Sequence, residues 1–258
     1  MSTDQPTDPV GVEIIEGGIA ILTLDKPPAN AMDPAFLGAL CDRLDELAAD
    51  QSVRALVLTG AGKVFCAGVD LKSVVDYDRA QQQAMVNGLN RMVHTIYGFR
   101  VPTVAAVNGH AIAGGLVLTL CCDARIGPED TGLFGLAEVR AGVPFPYAPT
   151  EVVRAELSPG DARYIALFGG NMKPDEALRR GVFDELQPQD QVMSRAIERA
   201  RELTNLPPQT FQTIKQQVRG PVLARLAKVI ADKSDPTLKK WLTDETRAAA
   251  RAILEGGK

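Results

Sequence analysis

The chain has 258 residues, 45% of them apolar and 23% charged, with a formal net charge of −4. It is long enough for one sizeable core, with or without an appendage, and its acidic balance argues against a nucleic-acid binder. No apolar run reaches the roughly 18 residues of a membrane span, so no membrane partner is expected.

The first ten residues, MSTDQPTDPV, lack the basic and apolar regions of a secretory leader. They read as a short unstructured tail on a cytoplasmic protein. Residues 12–15 and 19–24, separated by Gly17-Gly18, read as a hairpin. The prolines of LDKPPANAMD exclude regular structure, and Asp33-Pro34 then starts a helix that buries Leu37, Leu40, Leu44 and Leu47. Residues 53–59 (VRALVLT) read as a strand that feeds a small-residue loop at 63–72, KVFCAGVDLK. Residues 72–78 carry no clean pattern. Residues 79–99 are helical, with Met85, Leu89, Met92, Val93 and Ile96 on one side.

The central stretch is 101–123, VPTVAAVNGHAIAGGLVLTLCCD. A β-branched run breaks at Asn108-Gly109 and passes through Ala113-Gly114-Gly115 into a second apolar run, read as a buried helix. Free N–H groups at a helix start favour an anion or a developing negative charge. Because 63–72 has the same character, the two loops are expected to supply two backbone donors to one oxygen. A short strand at 124–126 and a glycine-broken segment at 132–138 follow. The three prolines of 142–149 (GVPFPYAP) point to an irregular loop.

The remainder reads as helical: 158–167, 173–180, 190–206, 208–218 and a charged amphipathic end at 235–254, with a short extended return at 182–186. Strand, loop and helix recur at roughly 45-residue spacing without sequence self-similarity, so the repeat is topological only. The helical region from 191 to 258 is expected to pack against a neighbouring subunit; a cap on its own subunit is the alternative.

Cys41, Cys66, Cys121 and Cys122 show no C-x-x-C spacing, and His94 and His110 stand apart from them. Reduced buried thiols and no metal site are the expectation. There is no G-x-S-x-G elbow, no Walker loop and no G-x-G-x-x-G. Asp33, Asp123 and Asp161 read as caps or turn residues, and His110 as a structural histidine. Glu138 differs, because Leu133, Phe134, Leu136, Ala137 and Val139 surround it. A carboxylate in apolar surroundings has a raised pKa, which suits a general base that returns its proton. A cap or surface glutamate is the plainer alternative.

Four motifs carry a family resemblance: LDKPPANAMD, VRALVLTGAGKVFCAGVDLK, VPTVAAVNGHAIAGGLVLTLCCDARI and FGLAEVRAGVPFP. In this order and spacing, over nearly the whole chain, they resemble the crotonase (enoyl-CoA hydratase/isomerase) superfamily. The resemblance implies an α/β fold: a spiral of repeated ββα units over residues 1–190, with a helical region at 191–258 that caps the core and supports a homotrimer or hexamer. It also implies an acyl-CoA thioester substrate, coenzyme A entering as part of that substrate, with no separate cofactor and no metal. Carried over by motif, the N–H groups of Val69 and Gly114 form the oxyanion hole. Asn30, Ala31, Ala67, Gly68, Asp70 and Leu71 fall where the family holds coenzyme A. Lys26 is a candidate phosphate contact, or simply an exposed lysine.

The departure from the pattern is at Val117. Hydratases of this family carry a glutamate three residues beyond the oxyanion-hole glycine and a second in the FGxxE segment. Here the second is Glu138 and the first is a valine. The extra aspartate of dienoyl-CoA isomerases is replaced by Pro146. One carboxylate facing a stabilised enolate resembles the family's 3-enoyl-CoA to 2-enoyl-CoA isomerases. The alternatives are a hydratase or other crotonase-type reaction with an unrecognised partner (Asp76, Asp78 or Glu151), and a non-catalytic acyl-CoA binder.

Overall fold

The computed structural model describes residues 8–255; of the tail expected at 1–10, residues 1–7 lie outside them, and Val10 belongs instead to the first strand. Strands β1 (Val10–Ile15) and β2 (Ile19–Leu24) form the expected antiparallel hairpin. From β2 the sheet continues in parallel through β3 (Ala55–Gly60), β5 (Thr103–Ala106), β7 (Ala124–Pro128) and β9 (Glu185–Gln187). Its central strands are covered on both faces, which is why they read as unbroken apolar runs. Ala55, Val57, Val104, Ala106 and Ile126 face helix α9 (Val192–Thr204), whose Val192, Ala196 and Ala200 are buried against them. Leu22, Leu56, Leu58 and Ala105 face the larger core.

A second, three-stranded parallel sheet runs β4 (Val64–Cys66), β6 (His110–Ile112) and β8 (Phe134–Gly135). Each turn of the chain places one strand in each sheet: β3 then β4, β5 then β6, β7 then β8. Helices α2 (Leu71–Val74) and α3 (Arg79–Tyr97) follow the first pair, α4 (Gly114–Cys121) the second and α5 (Glu138–Ala141) the third. This is the ββα spiral that the motifs implied. Helix α1 (Pro34–Ala49) starts as expected, with Asp33 accepting from Phe36 N at 2.8 Å.

Several expectations need correction. Residues 63–72 are not all loop: they hold β4 and the start of α2. His110 opens a strand, so it is not a turn residue. Residues 142–149 are not irregular throughout, because α6 (Tyr147–Glu156) begins inside them. Pro149 is in its first turn, where a missing N–H costs no helical bond. Helix α7 (Pro159–Phe168) and α8 (Pro174–Arg179) match their expected starts. Helix α10 (Pro208–Asp232) runs far past 218, through Pro221. Burial of Val222, Leu223 and Leu226 against the main core holds that second half in place. The 235–254 segment is interrupted: a 3₁₀ turn at Leu238–Lys240 precedes α11 (Asp244–Leu254).

All four cysteines are free and buried. No helix among the described residues is long and apolar enough to cross a membrane.

Candidate active site

The small sheet assembles the site. Its strands run parallel, with Cys66 paired to Ala111 and Ile112 paired to Gly135, so all three end at one edge. The residues just past those ends are Gly68-Val69, Ala113-Gly114 and Ala137-Glu138. Groups scattered over some 70 residues of sequence therefore become neighbours, in the order of the strands.

The two donors are aimed by their surroundings. The Gly68 carbonyl accepts from Met32 N at 2.7 Å and the Met32 carbonyl accepts from Asp70 N at 2.9 Å. In a trans peptide the N–H points opposite to the C=O, so the Val69 N–H points away from Met32. Gly68, at φ +79°, lies against the α4 start: a Cβ there would be 2.7 Å from Ala113 Cβ and 3.0 Å from Gly114 N. On the other side, Ala113 holds φ 52° and ψ −121°, a conformation an alanine adopts only at a cost, and donates to Gly135 O at 2.8 Å. Gly114 is the first residue of α4, so its N–H has no partner within the helix. Among the described residues neither Val69 N nor Gly114 N has an acceptor. Two backbone donors on abutting loops are free to bind one oxygen.

Glu138 is the first residue of α5, next to β8. The residue as a whole is half-buried, yet Oε2 is buried and has no hydrogen-bond partner among the described residues. Burial raises its pKa from 4.5 to about 8, and only its own backbone N–H pulls the other way. A carboxylate so placed is a competent proton acceptor near neutrality and gives the proton back readily. Val117 is fully buried in α4, one turn from Gly114, and its side chain contributes no polar atom.

The residues expected around coenzyme A fall into two groups. Ala31, Ala67, Asp70 and Leu71 are partly exposed along the rim beside the donors, with Gly68 buried among them. Asp70 spends its carboxylate on capping α2, accepting from Lys72 N at 3.1 Å and Ser73 Oγ at 2.9 Å. Asn30, by contrast, is buried and used internally. Its Oδ1 accepts from Lys26 N at 2.9 Å, and its Nδ2 donates to the carbonyls of Ala61, Val64 and Phe65. Lys26 pairs with Asp33 and donates to Ala31 O at 2.9 Å, so it fixes the 26–33 turn and would reach a phosphate only by leaving both.

The other carboxylates are committed elsewhere. Asp76 is exposed and pairs with Arg251, Asp78 caps α3, and Glu151 binds Arg225 at 2.6 Å. Asp161 is held by Ser158 and Arg180 at the α7 start, in keeping with its reading as a local helix-start residue. Asp123 is neither cap nor turn: it anchors a buried ion-pair cluster with Lys215 and Arg219.

Sequence reasoning missed two contributors. The Cys66 thiol lies under the Val69 loop. Helix α11 also closes on the site's flank: Arg247 donates to the carbonyls of Val75 and Tyr77, and a Cβ on Gly142 would meet Ala249. The Asn30 contact of Cys66 and the α11 contacts both join segments distant in sequence.

Known proteins share this fold. The human mitochondrial delta3-delta2-enoyl-CoA isomerase superposes with a TM-score of 0.90 at 27% identity, covering 96% of this chain and 97% of that one. A putative enoyl-CoA hydratase of Thermus thermophilus is 33% identical over 209 residues, 80% of this chain and 82% of the relative. A short-chain-enoyl-CoA hydratase of Clostridium acetobutylicum is 27% identical over 245 residues, 94% of each chain. A sequence model described as enoyl-CoA hydratase/isomerase matches residues 14–258. On that match, on the 33% identical relative and on its ββα spiral, the chain belongs to the enoyl-CoA hydratase/isomerase family.

Proposed function

We propose that this chain is an acyl-CoA isomerase that moves a double bond from position 3 to position 2. The observation that carries the reading is the lone, unpartnered Glu138 carboxylate beside the donor pair, with buried Val117 where a hydratase has its other glutamate. The thioester carbonyl accepts from Val69 N–H and Gly114 N–H. Glu138 takes a proton from C2, the C–H electrons form a C1=C2 bond and push charge onto the thioester oxygen, giving a dienolate conjugated with C3=C4, and the same carboxylate returns the proton at C4 to leave the double bond at C2–C3. No water is consumed, so a dry pocket suits the reaction. Each donor contributes about 3–4 kcal/mol to the enolate-like transition state, and the base about 10²–10⁴ in rate. Coenzyme A enters with the substrate and no other cofactor is required.

The rim residues Ala31, Ala67, Asp70 and Leu71, with the Gly68 backbone behind them, then receive the pantetheine and nucleotide parts. Asn30 and Lys26 act by holding the 26–33 turn. The working unit in this reading is a cytoplasmic homotrimer or hexamer, with residues 191–258 serving both as cap and as subunit contact.

Hydration is the second reading, supported by the names of the bacterial relatives. The two separate on substrate. Wild type is expected to convert 3-hexenoyl-CoA and to leave crotonyl-CoA almost unhydrated, and Glu138→Gln is expected to lose isomerisation by 10²–10⁴. Hydration without isomerisation would favour the second reading. Tight acyl-CoA binding with no turnover would make the chain a binder.

A further inference from the structure

The Cys66 thiol has a place in the site that its burial alone does not explain. Its Sγ donates to the Asn30 carbonyl at 3.1 Å and accepts from the Gly68 N–H at 3.4 Å. The side chain is fully buried, and burial pushes the thiol up to about 12, so it keeps its proton and its donor role. The bridge ties together the two segments on which the Val69 donor depends. Asn30 stands in the 26–33 turn and, through its side chain, fastens that turn to β4. Gly68 carries the peptide whose N–H belongs to Val69. The carbonyl of that peptide is held by Met32, and the N–H of the preceding Ala67–Gly68 peptide is held by the thiol. Both holds are needed, because Gly68 at φ +79° has no side chain to limit its rotation.

We propose that Cys66 is a positioning residue for the oxyanion hole, its Asn30–Sγ–Gly68 bridge fixing the Ala67–Gly68 peptide from which, through the Gly68 torsions, the Val69 N–H is aimed. Alanine at 66 leaves the Gly68 N–H and the Asn30 carbonyl buried without partners, and both relax by turning the peptide. Serine keeps a donor and an acceptor, on a shorter bond. Valine fills the volume and keeps neither. Bonding, as distinct from packing, therefore ranks serine above valine.

The role rests on the enolate reading above, and its test uses enolate formation directly. Butanoyl-CoA in deuterium oxide exchanges its C2 hydrogens if Glu138 removes one and the hole holds the enolate; no double bond is needed. Wild type, Cys66→Ala, Cys66→Val and Cys66→Ser are compared for exchange kcat, KM and melting temperature. Cys66→Ala and Cys66→Val are expected to lose roughly tenfold or more in kcat with KM within about threefold, and Cys66→Ser to stay within about threefold of wild type. Should alanine prevent folding, valine carries the comparison. Exchange in wild type that alanine or valine leaves intact overturns the Cys66 role alone. So does a folded serine variant as impaired as valine, or a loss confined to KM. A wild type that does not exchange overturns the enolate reading itself.

Discussion

Asp123 and Glu138 are two carboxylates taken out of water by the same spiral, and they are treated in opposite ways. Asp123 accepts from Thr103 N at 2.8 Å, Thr103 Oγ at 3.0 Å, Lys215 Nζ at 2.7 Å and Arg219 at 3.0 Å. Arg219 in turn binds the carbonyls of Tyr97, Cys121 and Cys122, so the cluster locks α10 onto the ends of α3 and α4. Glu138 has one buried oxygen with no partner among the described residues and a pKa raised to about 8. A charge that is fully paired contributes architecture. One left unpaired costs stability and is available to a substrate. The difference separates the part of the molecule that holds the spiral from the part that does chemistry.

Breaking the paired side should have the largest energetic effect. Asp123→Ala strands Lys215 in the core, leaves Arg219 only Glu156 at 3.5 Å as an acidic partner, and is expected to cost about 3–5 kcal/mol in denaturant unfolding. The kcat of the folded fraction should stay within about twofold of wild type, because neither donor nor base touches the cluster. Next comes Gly68→Ala, which forces a Cβ to 2.7 Å from Ala113 Cβ at a φ of +79° and pushes the two donor loops apart. Its turnover should fall by about 10²–10³, the loss of about 3–4 kcal/mol expected when an oxyanion donor is misaimed, with a smaller effect on the melting temperature.

The smallest effect sharpens the unpaired side. A carboxyl whose folded pKa lies above its unfolded value holds a proton in the native state that the unfolded chain has released. Between pH 4.5 and about 8 the native state therefore binds more protons, and this group's contribution to stability falls as pH rises through that window. Glu138→Gln removes the dependence. The variant should gain about 1–3 kcal/mol on wild type at pH 9, with the gap closing toward pH 4.5, read from melting curves at each pH.

The long elements of the spiral were legible because their periodicity is strong: the hairpin, α1, α3 and the β3 and β5 runs all carry many apolar residues in register. The small sheet was not. Its strands are two or three residues long and include Gly135 and His110, so no pattern can accumulate, and only pairing across three distant segments makes them strands. Helix α6 was hidden by Pro149, since proline signals a break unless it falls in a first turn. Asp123 read as a turn residue because its partners, Lys215 and Arg219, lie more than 90 positions away. Glu138 and the two donor loops were legible through local composition and family motif. Their convergence depends on the small sheet, and the Cys66 bridge joins a contact two residues along the chain to one with Asn30 that only the fold creates.

The most direct test of a single unpaired base is the pH dependence of kcat/KM for 3-hexenoyl-CoA isomerisation. One carboxylate acting in both proton steps predicts a rise of unit slope that levels off above a pKa near 8, and that ionisation should be absent from the residual activity of Glu138→Gln. A bell-shaped profile needing a second ionising group, or the same ionisation surviving in Glu138→Gln, would contradict it.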